Sequence, residues 1–166
     1  MQMTSAGANK WLKNLEDEKE YLLSMEEAGK EYIVAENEEA IIPDYDYEKT
    51  SGRIMEIDAK IRKIKHCINC FNTTAVLPDL NMTIDEALVK MAQLNRRLAK
   101  LDEMRKKLRK SRRVDPYARN NLIEYVAINY DLDKINEDYR QLKEEVMNIQ
   151  LALDICNQTR VFEIEL

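Results

Sequence analysis

Glycine and proline are scarce in this chain, with three of each in 166 residues. These residues form tight turns and break helices, so their scarcity argues against a β-sandwich or a loop-rich chain and favours long helices with short connections. Charged residues make up 34% of the sequence, and the length is sufficient for a real core. We therefore predict one mostly α domain spanning residues 1–166.

Cysteine is also scarce, and its number, three, is odd. A secreted disulfide scaffold has a denser and even set, so we expect reduced thiols. No run of 18 apolar residues occurs, which predicts the absence of a membrane span. The first residues lack the basic start and apolar centre of a signal peptide. Together these features predict a cytoplasmic protein.

The strongest positive signal is a pair of seams in which apolar residues recur at alternating intervals of three and four. One seam lies between Ile54 and Phe71, and the other between Leu132 and Cys156. This heptad pattern is typical of coiled-coil helices, which bury a narrow apolar stripe against partner helices. We expect helices over about 47–72 and from Asp131 to about Asn157, with their seams covering each other.

Two further helices are predicted from about Ser5 to Ala28 and from Ile84 to about Lys110. Thr83 and Glu86 form a capping box that marks the start of the second of these helices. The fold class is thus four long antiparallel helices, arranged as coiled-coil hairpins or as one bundle. Short strands are predicted at Tyr32–Ala35, within 122–130 and from Val161 onward, gathered at one end in a small β-sheet.

An internal repeat with an offset of 85 residues relates the two seams. Tyr45-Asp46, a seam and Asn72 correspond to Tyr130-Asp131, a seam and Asn157. The pattern predicts two pseudo-repeat halves, about 5–76 and 83–161, although two heptad helices can also match by coincidence. Both asparagines fall where a helix should stop, so we expect them to cap it in the left-handed conformation.

A cluster of thiols and the single histidine is the weak candidate for a metal site: His66, Cys67, Cys70 and Cys156. Thiolates and imidazole are zinc ligands, but structural zinc sites usually sit on loops and here a second complete pair is missing. We expect buried free thiols and no metal or cofactor. No glycine-rich phosphate loop or nucleophile elbow is present, so an enzyme is not favoured.

A basic stretch near the end of the third helix is the candidate for nucleic-acid binding. Its residues are Arg105, Lys106, Lys107, Arg109, Lys110, Arg112 and Arg113. Such a run can bind phosphates, but Asp102 and Glu103 interrupt the basic region and aromatic residues for base stacking are missing. The acidic region 16–48 is an alternative partner, within the molecule or between copies.

Several short motifs resemble a family of small, uncharacterised bacterial helical proteins labelled septicolysin-like. They are Ile41–Asp46, His66–Thr74, Met82–Leu88, Asn120–Tyr125 and Ile149–Leu153. The resemblance covers about 41–166 and implies a bacterial helical fold, with no catalytic or binding residues to transfer. The family label also implies a third reading, a membrane-active toxin.

The leading prediction is a non-enzymatic coiled-coil protein that self-associates as a homo-oligomer or scaffolds a protein partner. Long seams in extended hairpins leave apolar flanks uncovered, which favours oligomers. Nucleic-acid binding through residues 105–113 is the alternative.

Overall fold

The computed structural model describes residues 1–37, 39–113 and 123–165. Within these ranges the chain forms four helices, and the structure is 66% helical. This confirms the mostly α fold class. The helices are α1 (Ser5–Gly29), α2 (Tyr47–Thr74), α3 (Ile84–Arg105) and α4 (Leu132–Thr159).

Six short strands form three separate two-stranded antiparallel sheets in the described residues. The strands are β1 (Gln2–Thr4), β2 (Val76–Leu77), β3 (Met82–Thr83), β4 (Lys110–Arg112), β5 (Tyr125–Ala127) and β6 (Val161–Glu163). β1 pairs with β6, β2 with β3, and β4 with β5. β6 confirms the strand predicted from Val161, and β5 confirms the strand predicted within 122–130. Residue 122 itself lies outside the described residues.

The predicted strand at Tyr32–Ala35 is wrong, because this segment has no regular secondary structure. Its β-branched and aromatic residues favour extended backbone, but a strand also needs a neighbour to complete its hydrogen bonds. The strands that do form gather as three pairs rather than as one sheet that includes this segment.

Side-chain caps explain where the helices begin. Thr4 Oγ1 accepts a hydrogen bond from Gly7 N at 3.2 Å, and Asp46 Oδ1 accepts one from Lys49 N at 3.0 Å. The predicted capping box of α3 is present, since Thr83 and Glu86 bond to each other's backbone N–H. The hydrogen bond from Thr83 N holds the pKa of Glu86 below its ordinary value.

Three predicted helix ends are shifted. α3 ends at Arg105 rather than near Lys110. In a longer helix, basic residues three and four positions apart between 105 and 110 would be neighbours and would repel each other. α2 and α4 continue past Asn72 and Asn157 to threonines. Neither asparagine is left-handed, since Asn81 is the one non-glycine residue with positive φ, 50°, among those described.

The described chain divides into two compact units. The first contains Met1–Ala75 and Asp154–Leu166, and the second Val76–Leu153. In the first unit α1 and α2 form an antiparallel hairpin around a continuous apolar core. The core residues are Ala8, Leu12, Leu15, Ile57, Ile64, Ile68 and Ile164. The seam of α2 is buried as predicted, and within this unit α1 covers it.

In the second unit α3 and α4 also run antiparallel. Lys90 Nζ lies 2.6 Å from Glu145 Oε1 at one end of the hairpin. At the other end Tyr130 OH donates a hydrogen bond to Met104 O at 2.8 Å. Leu101 of α3 lies between these contacts and is buried, and Ile149 of α4 is buried as well. The predicted four-helix antiparallel arrangement is therefore present as two hairpins.

The predicted duplication gains support from the lengths of α2 and α4, which are 28 residues each. Their first and last residues are both separated by the offset found in the sequence. β2 and β6, which follow these helices, also begin at matching positions, Val76 and Val161. The duplication itself stays a prediction.

Candidate functional site

The metal candidates do not assemble into a coordination shell. Among the described residues, no group of three or more His, Cys, Asp or Glu side chains is placed to hold a metal ion. Cys70 Sγ lies 3.6 Å from His66 Nε2 on an exposed face of α2, so the prediction of a buried thiol is wrong for Cys70. Cys67 packs against the apolar core instead. Cys156 is buried, and desolvation raises the pKa of its thiol, which disfavours the thiolate that a metal would need.

The basic stretch is largely engaged with nearby carboxylates. Arg105 and Lys106 both bind Asp102, Arg109 binds Asp133 at 3.3 Å, and Arg113 binds Glu124 at 3.3 Å. The two cations beside Asp102 lower the pKa of that carboxyl, with Lys106 making the larger contribution. Exposed pairs of this kind are weak individually, but they reduce the positive field that a polyanion would meet.

Two of the basic side chains also cover aromatic rings. The guanidinium of Arg105 lies 4.2 Å from the ring centre of Tyr139 on α4, and Lys110 Nζ lies 4.3 Å from that of Tyr125 on β5. These contacts tie the end of α3 and β4 to the rest of the second unit. They also occupy ring faces on which a nucleic-acid base would stack.

An open apolar groove runs between α3 and α4. It has a volume of about 700 Å³ and an almost wholly apolar lining centred on Met91, Val146, Met147 and Leu151. Met147 and Leu151 are 56% and 53% exposed, respectively. Both lie one turn apart on the same side of α4, beside the buried seam. Arg140, Lys143 and Glu144 edge the groove, so its rim carries charges of both signs.

A second apolar hollow, of about 490 Å³, lies where α3 ends and the β4–β5 hairpin begins. Leu108, Val126 and Ile128 contribute its apolar lining, with Lys100, Glu103 and Lys107 at its rim, where Lys100 is paired with Glu103. Leu108 is 71% exposed, because α3 has already ended before it. We name this set of residues the basic hairpin surface.

The segment that joins α1 to α2 is the most exposed apolar part of the described chain. Ile33 is 99% exposed and Ile41 is 89% exposed. Between positions 30 and 46 the sequence carries six acidic residues and one lysine. We name residues 30–46 the acidic connector.

The acidic connector is anchored at its C-terminal end. Tyr45 OH donates a hydrogen bond to Glu26 Oε1 at 3.0 Å, and the Tyr45 ring lies against Gly29. Desolvation, with the nearby Glu26 carboxylate, raises the pKa of Tyr45. Tyr45 also lines a groove of about 660 Å³ at the start of α2, where Arg53 is surrounded by Glu18, Glu56 and other acidic residues. Arg53 Nη2 lies 2.6 Å from Glu18 Oε1, and this ion pair holds Arg53 in the groove.

Sequence reasoning found the basic stretch but missed the α3–α4 groove. Met147 and Leu151 lie outside the three-four seam, and isolated apolar residues on a charged helix face carry little signal by themselves. Their spacing of four residues was the available sign that they share one side of α4.

No described helix is long and apolar enough to cross a lipid bilayer.

Comparison with known proteins gives information on the fold of this chain alone. No protein-family model matches the chain, and no curated protein matches it significantly. The chain is similar to the crystal structure of a functionally unknown conserved protein from Corynebacterium diphtheriae, with a TM-score of 0.66 and 15% sequence identity. The alignment covers 98% of this chain and 100% of that chain. The likeness therefore shows a shared helical fold.

Proposed function

We propose that this protein is a non-enzymatic helical protein of the cytoplasm that self-associates, with the α3–α4 groove as the surface that binds a second copy. The observation that carries the proposal is the open apolar lining of this groove. Met147 and Leu151 expose more than half of their surface there, although both belong to the helix that carries the longer seam. Exposed apolar patches of this kind mark interaction surfaces.

The rim of the groove favours a second copy as its occupant. In a two-fold contact each residue meets the partner's equivalent surface, so the surface must be complementary to itself. Lys143 and Glu144 place opposite charges side by side at the rim, which allows reciprocal pairing. Met91 and Met147 have flexible side chains that adapt to an irregular apolar neighbour.

The ion pairs along the basic stretch make nucleic-acid binding the weaker alternative. Arg105, Lys106, Arg109 and Arg113 already contact carboxylates of the same unit. A nucleic-acid phosphate would have to displace those carboxylates before it could bind the same cations. The membrane-active reading rests on the septicolysin-like resemblance, and no contact within the described residues adds to it.

Light scattering on the wild type and on matched variants tests the proposal. We expect a mass above the 19.6 kDa monomer at micromolar concentration. Met147→Glu and Leu151→Glu place a charge in the groove and should restore the monomer mass in about 500 mM salt, which screens contacts between exposed charges. Met55→Glu is the control, since Met55 is 70% exposed on α2 in the first unit. A wild-type monomer, or a groove variant with the wild-type mass, would overturn the proposal.

A further inference from the structure

The acidic connector and the basic hairpin surface share two properties and differ in one. Both expose aliphatic side chains to solvent: Ile33 and Ile41 in the connector, and Leu108 and Val126 at the hairpin. Both lie mainly outside the helices, although Lys100 at the rim of the hairpin surface belongs to α3. Their charges have opposite signs, because the connector is acidic and the region 96–113 contains ten basic residues against two acidic ones.

We propose that the acidic connector of one copy binds the basic hairpin surface of a second copy. Burial of the isoleucines against Leu108 and Val126 would supply the apolar contact. Lys107, at the rim of the hollow, would face the connector's carboxylates. The segment Tyr32–Ala35 pairs with no strand in the described part of its own copy, and the hairpin surface of a second copy would cover it.

The two surfaces are different, so the contact is heterologous. A dimer held by one such contact keeps one connector and one hairpin surface free, and further copies can therefore add to form a ring or a chain. This contact extends the proposed self-association without using Met147 or Leu151. Its strength should also depend on salt more steeply than that of the groove, because exposed charges contribute more to it than to the mainly apolar groove.

A nucleic acid is a less suitable occupant of the basic hairpin surface. The hollow beside Lys107 is lined mainly by aliphatic side chains, which contribute little to binding phosphates. The ring of Tyr125 is covered by Lys110. An acidic segment that carries exposed isoleucines matches both the charge and the apolar lining.

The test uses full-length protein that carries Met147→Glu, so that the groove is disabled and the two proposals fail separately. A connector variant adds Ile33→Ser and Ile41→Ser, and a surface variant adds Leu108→Ser and Val126→Ser. All four substituted side chains are more than half exposed, so the fold should tolerate the changes. Met55→Ser in the same background is the control.

Sedimentation velocity in about 50 mM and about 500 mM salt measures the association. We expect the Met147→Glu protein and the control to associate in low salt, with a dissociation constant that rises about tenfold or more in high salt. Each double variant alone should be monomeric. Mixed together they should form a dimer and no larger species, since one supplies the only intact connector and the other the only intact surface.

Three results would overturn the inference. The first is a monomeric Met147→Glu protein in low salt, and the second is a mixture of the two double variants that stays monomeric. The third is binding of a DNA or RNA oligonucleotide that is lost with Leu108→Ser and Val126→Ser while association of the protein is unaffected.

Discussion

The two helical hairpins of this protein are closed to different degrees. Across the α1–α2 hairpin, Ile57 and Ile64 are completely buried, and ion pairs join Lys19 to Asp58, Glu18 to Arg53 and Glu16 to Lys65. Across the α3–α4 hairpin, Lys90 and Glu145 form the one described ion pair between the helices. Apolar side chains line open hollows along that hairpin and at its turn.

This difference separates the part of the molecule that maintains the fold from the part that offers surface. The closed α1–α2 hairpin fills most of its own seam and pairs charges across it, and its groove at the start of α2 is lined largely by charged residues. The open α3–α4 hairpin buries a comparable seam through Leu101 and Ile149 but leaves Met147 and Leu151 uncovered. A free-energy gain from covering them is therefore available only to a partner.

The largest expected effect is the loss of a fully buried isoleucine in the closed hairpin. Ile64→Ala removes three carbons from a site with no exposed surface and should cost about 3 kcal/mol of unfolding free energy. Val146→Ala at the open groove should cost less than half as much, because its side chain is only partly buried. Urea unfolding measures both. Equal losses would remove the distinction between the hairpins.

Adding one methyl group to the closed hairpin should also be costly. A Cβ on Gly29 would lie 2.5 Å from Cβ of Tyr45, so Gly29→Ala should displace that ring and cost about 1–3 kcal/mol. Gly52→Ala is the matched control, since nothing lies within 4 Å of the added carbon and Gly52 is inside α2. That variant should be more stable by roughly 0.5–1 kcal/mol. Thermal unfolding of both proteins gives the comparison.

Helix caps should matter equally in the two hairpins. Thr4→Ala at α1 and Thr83→Ala at α3 should each cost about 1 kcal/mol, measured by chemical unfolding at neutral pH. The effect of Thr83 should also depend on pH. The pKa of Glu86 is lowered in the folded state, so its stabilisation is present above its ordinary pKa and is lost as the pH falls through the folded value. A Thr83 effect unchanged in acid would contradict the capping box.

Single ion pairs should have the smallest effects. Lys19→Met in the closed hairpin and Lys90→Met in the open hairpin should each change the unfolding free energy by about 0.5 kcal/mol, and salt should reduce both changes. A large, salt-independent loss for Lys90→Met would indicate that the open hairpin depends on this pair more than its exposure suggests.

The sequence was most informative where one local rule determined the outcome. The three-four seams predicted α2 and α4, and Thr83 with Glu86 predicted the first turn of α3. The strand at Tyr32–Ala35 could not be judged locally, because β-propensity acts only when a neighbouring strand completes the ladder. The early end of α3 was missed because the spacing of apolar residues carries no information on the repulsion between basic residues three and four positions apart.

The candidate surfaces were harder to predict than the helices. Whether Met147 is exposed depends on how closely α3 approaches α4, and that distance is set by side chains from both helices. The contact of α1 with α2 was not predicted, for a related reason. Heptad spacing identifies which face must be covered, but it does not identify which of several apolar helices covers it.

Oxidation of methionine at increasing protein concentration tests the central claim most directly. Met147 in the groove and Met55 on α2 have similar exposures, 56% and 70%, and act as probe and internal reference in the same molecule. Peptide mass spectrometry after brief peroxide treatment gives both rates. If the open hairpin binds a second copy, Met147 should become protected relative to Met55 as the concentration rises from about 1 μM to about 100 μM. A constant ratio of the two rates over that range would contradict the account.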